Sequence, residues 1–435
     1  MPRELPGLYY DEEKKRYFPL SSKPQAPPVI RPKRPLLSKR ENTQKDGRLM
    51  SGRAMGKGTV WAATERMRGS LAGSRRRRTV HDVLAFHIAT TSQGTSHFIT
   101  DAANNAVTAF QVYDDTSYNG GPFSVLAGDT QGWLYSLSGH TYNTIRRREL
   151  SMASSISAIC RSGERCVAIS FGQPCKIVIQ ESHPVETWTV LGLPQKVCHD
   201  VWTADLHECS LALGTAKKGI LIPDITTGRG MQSLDIGSDV LSVHQQPHLV
   251  YIGARNGGIH RFDTRETFER QAMFNSRFTS TRSSITHLSV VREWELLVST
   301  IRGDLETHDL RFPRGSTPLM CFAGHVNSYT AKLGLVVDST QDFVFAGGQD
   351  CRMRAWSLRT GQPALPPVLP CSTSYSSTAA SDEQALPPEL QPFRRTFDLP
   401  VVAMQVTESE RGTCLWAASA GELHRYNLGQ QSTAV

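Results

Sequence analysis

The stretch FVFAGGQDCRMRAWSLR, residues Phe343–Arg359, contains an apolar run, a turn of small and polar residues, and a second run in which apolar and polar residues alternate. Alternation with a period of two is typical of a β-strand with one buried face. Glycine and aspartate between two such runs favour a tight turn. Phe343–Arg359 therefore predicts a β-hairpin.

The same hairpin pattern recurs along the chain. Its seven copies are Phe123–Leu137, Cys166–Gln180, Cys209–Ile225, Leu249–Arg265, Leu296–Arg311, Phe343–Arg359 and Cys414–Leu428. A small residue precedes each turn, and these residues are Gly128, Ser170, Gly214, Gly253, Ser299, Gly347 and Ala418. Their spacing is 39 to 48 residues, apart from a last step of 71. Because WD-type blades repeat about every 40–45 residues, we predict an all-β fold, a seven-bladed WD-type β-propeller over residues 95–435.

The other strands of each blade also have sequence signals. Short apolar runs that would form inner strands precede most hairpins, at Ile156–Ile159, Val240–Val243, Ile285–Val291, Leu333–Val337 and Val401–Val406. Seven residues follow Leu428, too few for another blade. We expect Ser96–Thr100 to supply the last outer strand and close the ring, which removes an exposed sheet edge. The alternative is a surface strand with no role in closure.

The long last step comes from an insertion at residues 362–398, which is rich in proline and serine. Such composition disfavours packed structure, so we expect a mobile loop between blades six and seven.

Positive charge is concentrated at the start of the chain, whose net charge is +8. Residues 1–80 hold 20 Lys and Arg against 7 Asp and Glu, whereas the remainder holds 28 against 33. Residues 21–58 combine basic residues and proline with few apolar residues, and we expect a disordered basic linker there. An arm of this kind suits nucleic acid, an acidic protein surface or an import receptor.

Two further segments lie on either side of this linker. Residues 1–20 form an aromatic N-terminal motif, which could bind a partner or fold onto the propeller of the same chain. Residues 59–90 predict a short helical segment, a helix-loop-helix, with Arg75–Arg78 between its helices.

Several functional classes are disfavoured. We find no apolar run of about 18 residues or more, and no apolar segment directly after residues 1–6, so we expect neither a membrane span nor a secretory signal. The nine cysteines include no C-x-x-C pair, which argues against a metal site. Hydrolase-elbow, P-loop and H-E-x-x-H motifs are absent. We therefore expect no cofactor and no enzyme.

WD blades often contain a buried hydrogen-bonded network of His, Asp and Trp. His325, Asp350 and Trp356 have the spacing for it in blade six, although its usual Ser or Thr member falls at Ala346. Because a buried polar group needs a partner, we expect an incomplete network of these three side chains.

Three successive hairpins place an arginine at the same position. Blade four ends Phe262-Asp263-Thr264-Arg265, blade five ends His308-Asp309-Leu310-Arg311, and blade six ends Trp356-Ser357-Leu358-Arg359. We expect the arginines to line one rim of the disc, where guanidinium groups suit a carboxylate-bearing protein. The alternative is that each arginine pairs locally with its own aspartate.

The Asp-x-Arg ending on consecutive blades resembles the WD-repeat substrate receptors of cullin-4 RING ubiquitin ligases. Glu4–Phe18 and Cys321–Arg359 are similar to the branch typified by DDB- and cullin-associated factor number four. The resemblance implies a non-enzymatic receptor. Its partners would be the adaptor damage-specific DNA-binding protein 1, through it cullin-4, and an unknown protein substrate.

The resemblance also implies which residues bind the adaptor. They are Asp263, Arg265, Asp309, Arg311 and Arg359, although Ser357 replaces the acidic residue in blade six, and the helical stripe Val83, Leu84 and Ile88. That stripe could instead pack on the rim of its own propeller. A scaffold or a nucleic-acid-associated propeller without ligase coupling is the alternative function. The basic stretch lacks interleaved aromatic residues for base stacking, so we expect no nucleic acid partner. We expect a nuclear and cytoplasmic location.

Overall fold

The computed structural model describes residues 8–11, 16–19, 74–92, 94–100, 105–115, 123–140, 143–181, 187–194, 198–265, 270–274, 283–315, 317–364, 391–409 and 412–430. Two units are present, residues 1–54 and 55–435. In the first unit, β1 (Leu8–Asp11) pairs antiparallel with β2 (Arg16–Pro19). The aromatic motif thus contains a two-stranded hairpin. The predicted linker at residues 21–58 lies outside the described residues.

The second unit contains seven antiparallel sheets that follow one another along the chain, which confirms the seven-bladed propeller. The first three blades, each from its inner to its outer strand, are β4 (Val107–Asp115), β5 (Phe123–Asp129), β6 (Trp133–His140) and β7 (Asn143–Ser151); β8 (Ile156–Ser162), β9 (Arg165–Ser170), β10 (Lys176–Glu181) and β11 (Thr187–Gly192); and β12 (Val201–His207), β13 (Ser210–Thr215), β14 (Lys218–Ile222) and β15 (Gln232–Asp235). All seven predicted hairpins are the second and third strands of these and the following blades.

The last four blades are built in the same way. Their strands are β16 (Val240–Gln245), β17 (Leu249–Ala254), β18 (Ile259–Asp263) and β19 (Arg270–Met273); β20 (Ile285–Val291), β21 (Glu295–Thr300), β22 (Leu305–Asp309) and β23 (Met320–Cys321); β24 (Leu335–Val337), β25 (Phe343–Gly347) and β26 (Met353–Ser357); and β27 (Ala403–Ser409), β28 (Gly412–Ser419), β29 (Glu422–Asn427) and β3 (Gly94–Phe98). β3 pairs with β29, with His97 opposite Leu423, so the predicted ring closure is confirmed.

The small residue before each turn is explained by the contact between neighbouring blades. A Cβ atom at Gly253 would meet the Ile285 side chain at 2.5 Å, and one at Gly347 would lie 2.7 Å from the Val401 carbonyl oxygen. Ile285 lies at the start of the next inner strand and Val401 just before one. The repeat thus marks the place where one blade packs against the backbone of the one before it.

The middle strands are buried on both faces because each blade lies between two others. β21 is buried at every residue except its first, and β13 shows the same pattern. The apolar side chains form clusters that cross between blades, such as Leu221 of blade three with Val250 and Phe262 of blade four. This burial is the main stabilising contribution, at roughly 25 cal/mol per Å² of apolar surface.

A single described helix, α1 (Ser74–Ala89), precedes β3. The prediction of a loop at Arg75–Arg78 is wrong, since these residues form the first turns of α1. Arginine has high helix propensity, and the chain extends the helix through the charged run. The other predicted helix, at residues 59–72, lies outside the described residues. Within the described part of the chain, no helix has both the length and the apolar character needed to cross a membrane.

The insertion between blades six and seven is packed at its described end. Phe397 is buried in the core that blades six and seven share, and its N–H donates to the Cys351 carbonyl at 2.8 Å. The expectation of a mobile loop is therefore wrong for residues 391–398, because Phe393 and Phe397 supply apolar contacts that the proline and serine content concealed. Residues 365–390 lie outside the described part.

Candidate protein-binding face

The strand directions place two sets of turns at one end of the blades. Inner strands run toward this end and second strands leave it, and third strands then return to it. Main-chain bonds join the two sets: Leu310 N–H donates to the Trp294 carbonyl at 2.7 Å, and Leu358 N–H donates to the Asp342 carbonyl at 2.8 Å. The three predicted arginines all follow third strands. We call this end of the blades the arginine face.

Arg265 and Arg311 have nearly identical geometry. Each Nη2 lies 2.6 Å from the Oδ2 atom of the aspartate two residues earlier, Asp263 or Asp309. Each Nε donates to Oδ1 of the same carboxylate, at 3.0 Å and 2.9 Å, and each backbone N–H donates to that Oδ1 as well. Local pairing, the alternative reading, is therefore present. Both arginine side chains nevertheless remain 62% exposed.

Pairing and exposure together give these arginines a defined role. The hydrogen bonds from Arg265 and Arg311 lower the pKa of Asp263 and Asp309, so both carboxylates stay charged at neutral pH. A bidentate pair fixes the guanidinium plane before any partner arrives, which reduces the rotamer entropy lost on binding. The exposed part of each guanidinium is thereby held in a fixed direction.

Blade six departs from this pattern. Ser357 takes the place of the aspartate, and Arg359 Nε instead donates to Oδ1 of Asp342 at 2.5 Å. The Asp342 side chain is only 3% exposed, whereas that of Arg359 is 40% exposed. Arg359 therefore covers a nearly buried carboxylate and is less exposed than its two equivalents.

Helix α1 explains the serine in blade six. The Ser357 hydroxyl shares a hydrogen bond of 2.6 Å with His81 Nε2, and the His81 ring stacks on Phe343 at 4.8 Å. Ser357 Oγ also accepts the backbone N–H groups of Arg359 and Thr360, both at 3.1 Å, so its own proton is left to donate to His81. Phe343 begins a second strand and Ser357 ends a third, so α1 is seated on the arginine face.

The predicted apolar stripe on this helix is divided between two environments. Leu84 and Ile88 are 2% and 1% exposed and pack into the core of blades six and seven. An adaptor contact through them is therefore wrong, and the alternative, packing on the rim of the same chain, is what is observed. Val83 points outward at 40% exposure, and Phe86 beside it is 45% exposed.

Two exposed aromatic side chains on the arginine face were not predicted. Trp294, in the turn between β20 and β21, is 51% exposed, and the Arg311 guanidinium lies 5.8 Å from the centre of its ring. Phe312, next to Arg311, is 66% exposed. The repeated sequence pattern marks only the ends of third strands, whereas the turn between the first and second strands lies at the same end of the blade. Tryptophan and arginine are the residue types most enriched at the energetic centres of protein interfaces.

Arg292 holds the rims of blades five and six together. Its Nε donates to the Gln341 carbonyl at 3.2 Å and its Nη1 to the Leu358 carbonyl at 3.0 Å. Both carbonyls belong to turns of blade six, and Arg292 itself lies in a turn of blade five. The two rims therefore form one fixed surface.

The expected network of His325, Asp350 and Trp356 is wrong in its hydrogen bonds. Asp350 pairs with Arg354 at 2.5 Å, and Trp356 Nε1 donates to the Ala323 carbonyl at 2.8 Å. The ring nitrogens of His325 each lie 3.3 Å from a carbonyl oxygen, of Gly303 and of Gly347. Burial lowers the pKa of His325 and favours the neutral ring. Because Arg354 pairs with the Asp350 carboxylate, the buried rings of His325 and Trp356 form hydrogen bonds with backbone carbonyl groups.

Comparison with known proteins identifies the propeller type. Residues 197–383 match the family model described as the DDB1- and CUL4-associated factor 4 (DCAF4) β-propeller domain. This part of the propeller, less than half of the chain, is therefore similar to a DCAF4 propeller domain. The resemblance predicted from Cys321–Arg359 is thereby confirmed, because that segment lies within the match. The resemblance of Glu4–Phe18 lies outside it and stays a prediction.

Individual relatives agree with this DCAF4-like type. The chain is 31% identical to DDB1- and CUL4-associated factor 4-like protein 2 of Homo sapiens over 179 residues, which is 39% of this chain and 43% of that protein. It is 29% identical to DDB1- and CUL4-associated factor 4 of Bos taurus over 171 residues, or 37% and 32% of the two chains. The match spans less than half the length of these curated relatives. A solved structure, the WD40 β-propeller domain of Doa1, shares the fold, with a TM-score of 0.55, 10% identity, and coverage of 79% of this chain and 97% of that one.

The described residues were also compared with the requirements of a metal site. Among the described residues, no group of three or more His, Cys, Asp or Glu side chains is arranged to hold a metal ion. The arginine face offers fixed cations beside exposed aromatic and aliphatic side chains. This composition suits protein docking.

Proposed function

We propose that this protein is a non-enzymatic substrate-recognition subunit of a cullin-4 RING ubiquitin ligase, and that its arginine face binds the adaptor. The observation that carries the proposal is the repeated, pre-paired arginine of blades four and five beside a helix seated on the same face. The names of the relatives, which are associated with DDB1 and CUL4, identify the adaptor and the cullin as the proposed partners.

The proposed contact surface has charged and apolar parts. Arg265 and Arg311 would meet carboxylates or carbonyl oxygens of the adaptor through their exposed guanidinium groups. Trp294 would supply the apolar anchor beside them. On the helical side, Val83 and Phe86 take the role that the sequence assigned to the whole stripe, while Leu84 and Ile88 hold the helix in place.

The first test is the affinity of the full chain for the purified adaptor, measured by calorimetry. We expect Arg265→Ala with Arg311→Ala to weaken binding about tenfold or more, since truncation of a central interface arginine commonly costs about 1–2 kcal/mol or more. The matched control is Arg255→Ala with Arg302→Ala. These arginines belong to the same two blades, are exposed, and lie at the opposite ends of the strands. We expect the control to bind like the wild type.

The outcomes distinguish docking through the arginines from docking through α1 and from no adaptor binding. Loss in the first variant and not in the control supports docking through the arginine face. Equal affinity in both variants would remove the arginines from the proposal and leave α1, which Val83→Ala with Phe86→Ala then tests. A wild-type chain that does not bind the adaptor would contradict the ligase proposal and favour a scaffold.

A nuclear as well as cytoplasmic location is part of the proposal, supported by the basic residues between positions 21 and 58. Deletion of residues 21–58 from a fluorescent fusion should reduce its nuclear fraction. An unchanged distribution would contradict an import role for this segment.

A further inference from the structure

The centre of the ring holds a cavity of about 460 Å³ at the start of the inner strands, which is the end opposite the arginine face. Its wall comes from residues at or near the start of the inner strands in all seven blades, including Thr108, Ser157, Leu241 and Val402. Phe171 and Trp202 line it as an edge-to-face pair with ring centres 4.8 Å apart. The volume lies within the range of about 300–1,000 Å³ that is usual for ligand pockets.

Lys332 crosses this cavity. The residue lies just before β24 of blade six, and its Nζ donates to the Ser157 carbonyl of blade two. In a closed ring of seven, blades two and six are three steps apart, the greatest separation possible. The side chain is reached by solvent through the channel, and protein surrounds it. The surrounding protein lowers the pKa of Lys332 to about 8, so most of the Lys332 side chains carry the charged ammonium at pH 7.

The charge of Lys332 is not balanced by the cavity wall. Among the described residues, no carboxylate lines the cavity, and Lys332 has no ion-pair partner. His287, the other basic residue of the wall, has its pKa lowered to about 4 by burial and by nearby His244, so it is neutral at pH 7. Burial also raises the pKa of Cys160 well above its ordinary value, which keeps that thiol neutral. Asp205 lies near Cys160, and its Oδ2 atom is 3.6 Å from His244 Nδ1.

A cation that is exposed in a channel and has no counter-ion there can bind an anion. A carboxylate would replace the neutral carbonyl of Ser157 with a charge-assisted partner. The rings of Phe171 and Trp202 add aromatic surface to the cavity wall. The remaining wall is mostly apolar. The fitting group is therefore a carboxylate next to an apolar side chain.

We infer that this channel mouth binds an acidic residue of an extended polypeptide segment, with its carboxylate on Lys332 and its apolar neighbour against Trp202. A peptide fits better than a small free acid because apolar contacts continue outside the cavity. The loop that leads to Lys332 presents Tyr329 at 73% and Val326 at 42% exposure. This inference is independent of the proposed function, since it concerns the opposite end of the blades.

The test uses the full chain and a fluorescein-labelled hexapeptide of four glycines with one leucine and one glutamate at its centre. A second peptide carries glutamine in place of glutamate. We expect the glutamate peptide to bind at least about tenfold more tightly in fluorescence anisotropy, as a hydrogen bond to a charged group is worth enough for that ratio. Lys332→Met should abolish the preference. The control Lys217→Met, an exposed lysine on the same end of the blades, should keep it.

A pH series sharpens the test. The ammonium form binds the ionised carboxylate, so the affinity should change little between about pH 5.5 and pH 7 and fall as the pH rises through about 8. Lys332→Arg keeps its charge throughout this range and should bind equally at pH 7 and pH 9. The wild-type chain gives a readout without any substitution: the glutamate peptide should slow acetylation of Lys332 by acetic anhydride, followed by mass spectrometry.

The inference is overturned if the two peptides bind alike, or if Lys332→Met leaves the preference intact in a folded chain. Competition with 4-phenylbutanoate tests the occupant. If this small acid binds as tightly as the glutamate peptide and Tyr329→Ala weakens neither, a peptide occupant is excluded. The arginine-face variant Arg265→Ala with Arg311→Ala should keep full peptide affinity, which separates a failure here from a failure of adaptor docking.

Discussion

The turns that end the third strands of blades five and six occupy equivalent places and have different roles. In blade five, Asp309 fixes Arg311 in an exposed position. In blade six, Ser357 takes the place of the aspartate and forms a hydrogen bond with His81 of α1. Arg359 then pairs with Asp342 instead. One turn therefore holds an exposed arginine in place, and the other anchors a helix. A single aspartate-to-serine difference accompanies the change from a turn with an exposed, paired arginine to a turn that contacts α1.

The largest effect should come from the helix anchor. Leu84→Ala removes an almost completely buried side chain from the core of blades six and seven, and we expect a loss of about 2–5 kcal/mol in unfolding free energy. Val83→Ala, one residue earlier and exposed, should change it little. Urea unfolding measures both. Equal losses would show that the helix packs with a different face.

The second comparison separates the two arginines. Arg359→Ala removes the partner of a nearly buried carboxylate, so we expect a loss of about 1–3 kcal/mol in stability. Arg311→Ala leaves Asp309, whose side chain is 10% exposed, without its paired guanidinium, so we expect a smaller loss of stability than for Arg359→Ala together with weaker adaptor binding. Unfolding and adaptor affinity are measured on the same two preparations. A larger stability loss for Arg311→Ala would reverse the assignment of roles.

The smallest expected effect tests the serine itself. Ser357→Ala removes the acceptor of two backbone N–H groups and the partner of His81, and we expect a cost of about 1–2 kcal/mol. Ser233→Ala, an exposed serine on β15, is the control and should be neutral. Hydrogen exchange should also become faster in α1. Unchanged exchange in α1 would mean that the His81 contact contributes nothing to docking.

Much of the fold was predictable because its signals are local and repeated. The small residue before each turn is required by contact with the next blade, so it appears in the sequence as a period. Ring closure by β3 followed from the absence of another outer strand for blade seven. The middle strands are buried on both faces, yet their apolar runs still carried the hairpin signal.

The candidate site was less predictable because its residues are sorted by tertiary contacts. The pattern at Val83, Leu84 and Ile88 identifies an amphipathic helix, but the same stripe can pack on its own propeller or on a partner. Trp294 carries no signal in its own turn, and only the antiparallel order of strands brings it beside Arg311. The pairing of Asp350 with Arg354 likewise depends on which side chain the folded chain places beside the carboxylate.

The most direct test of the central claim is a hydrogen-exchange footprint of the full chain with and without the purified adaptor. Docking through the arginine face predicts slower exchange in α1 and in the turns at residues 263–265, 292–294 and 309–312. The turns at the other end of the same blades, residues 255–258 and 301–304, should exchange at unchanged rates. Protection confined to those opposite turns would contradict the account.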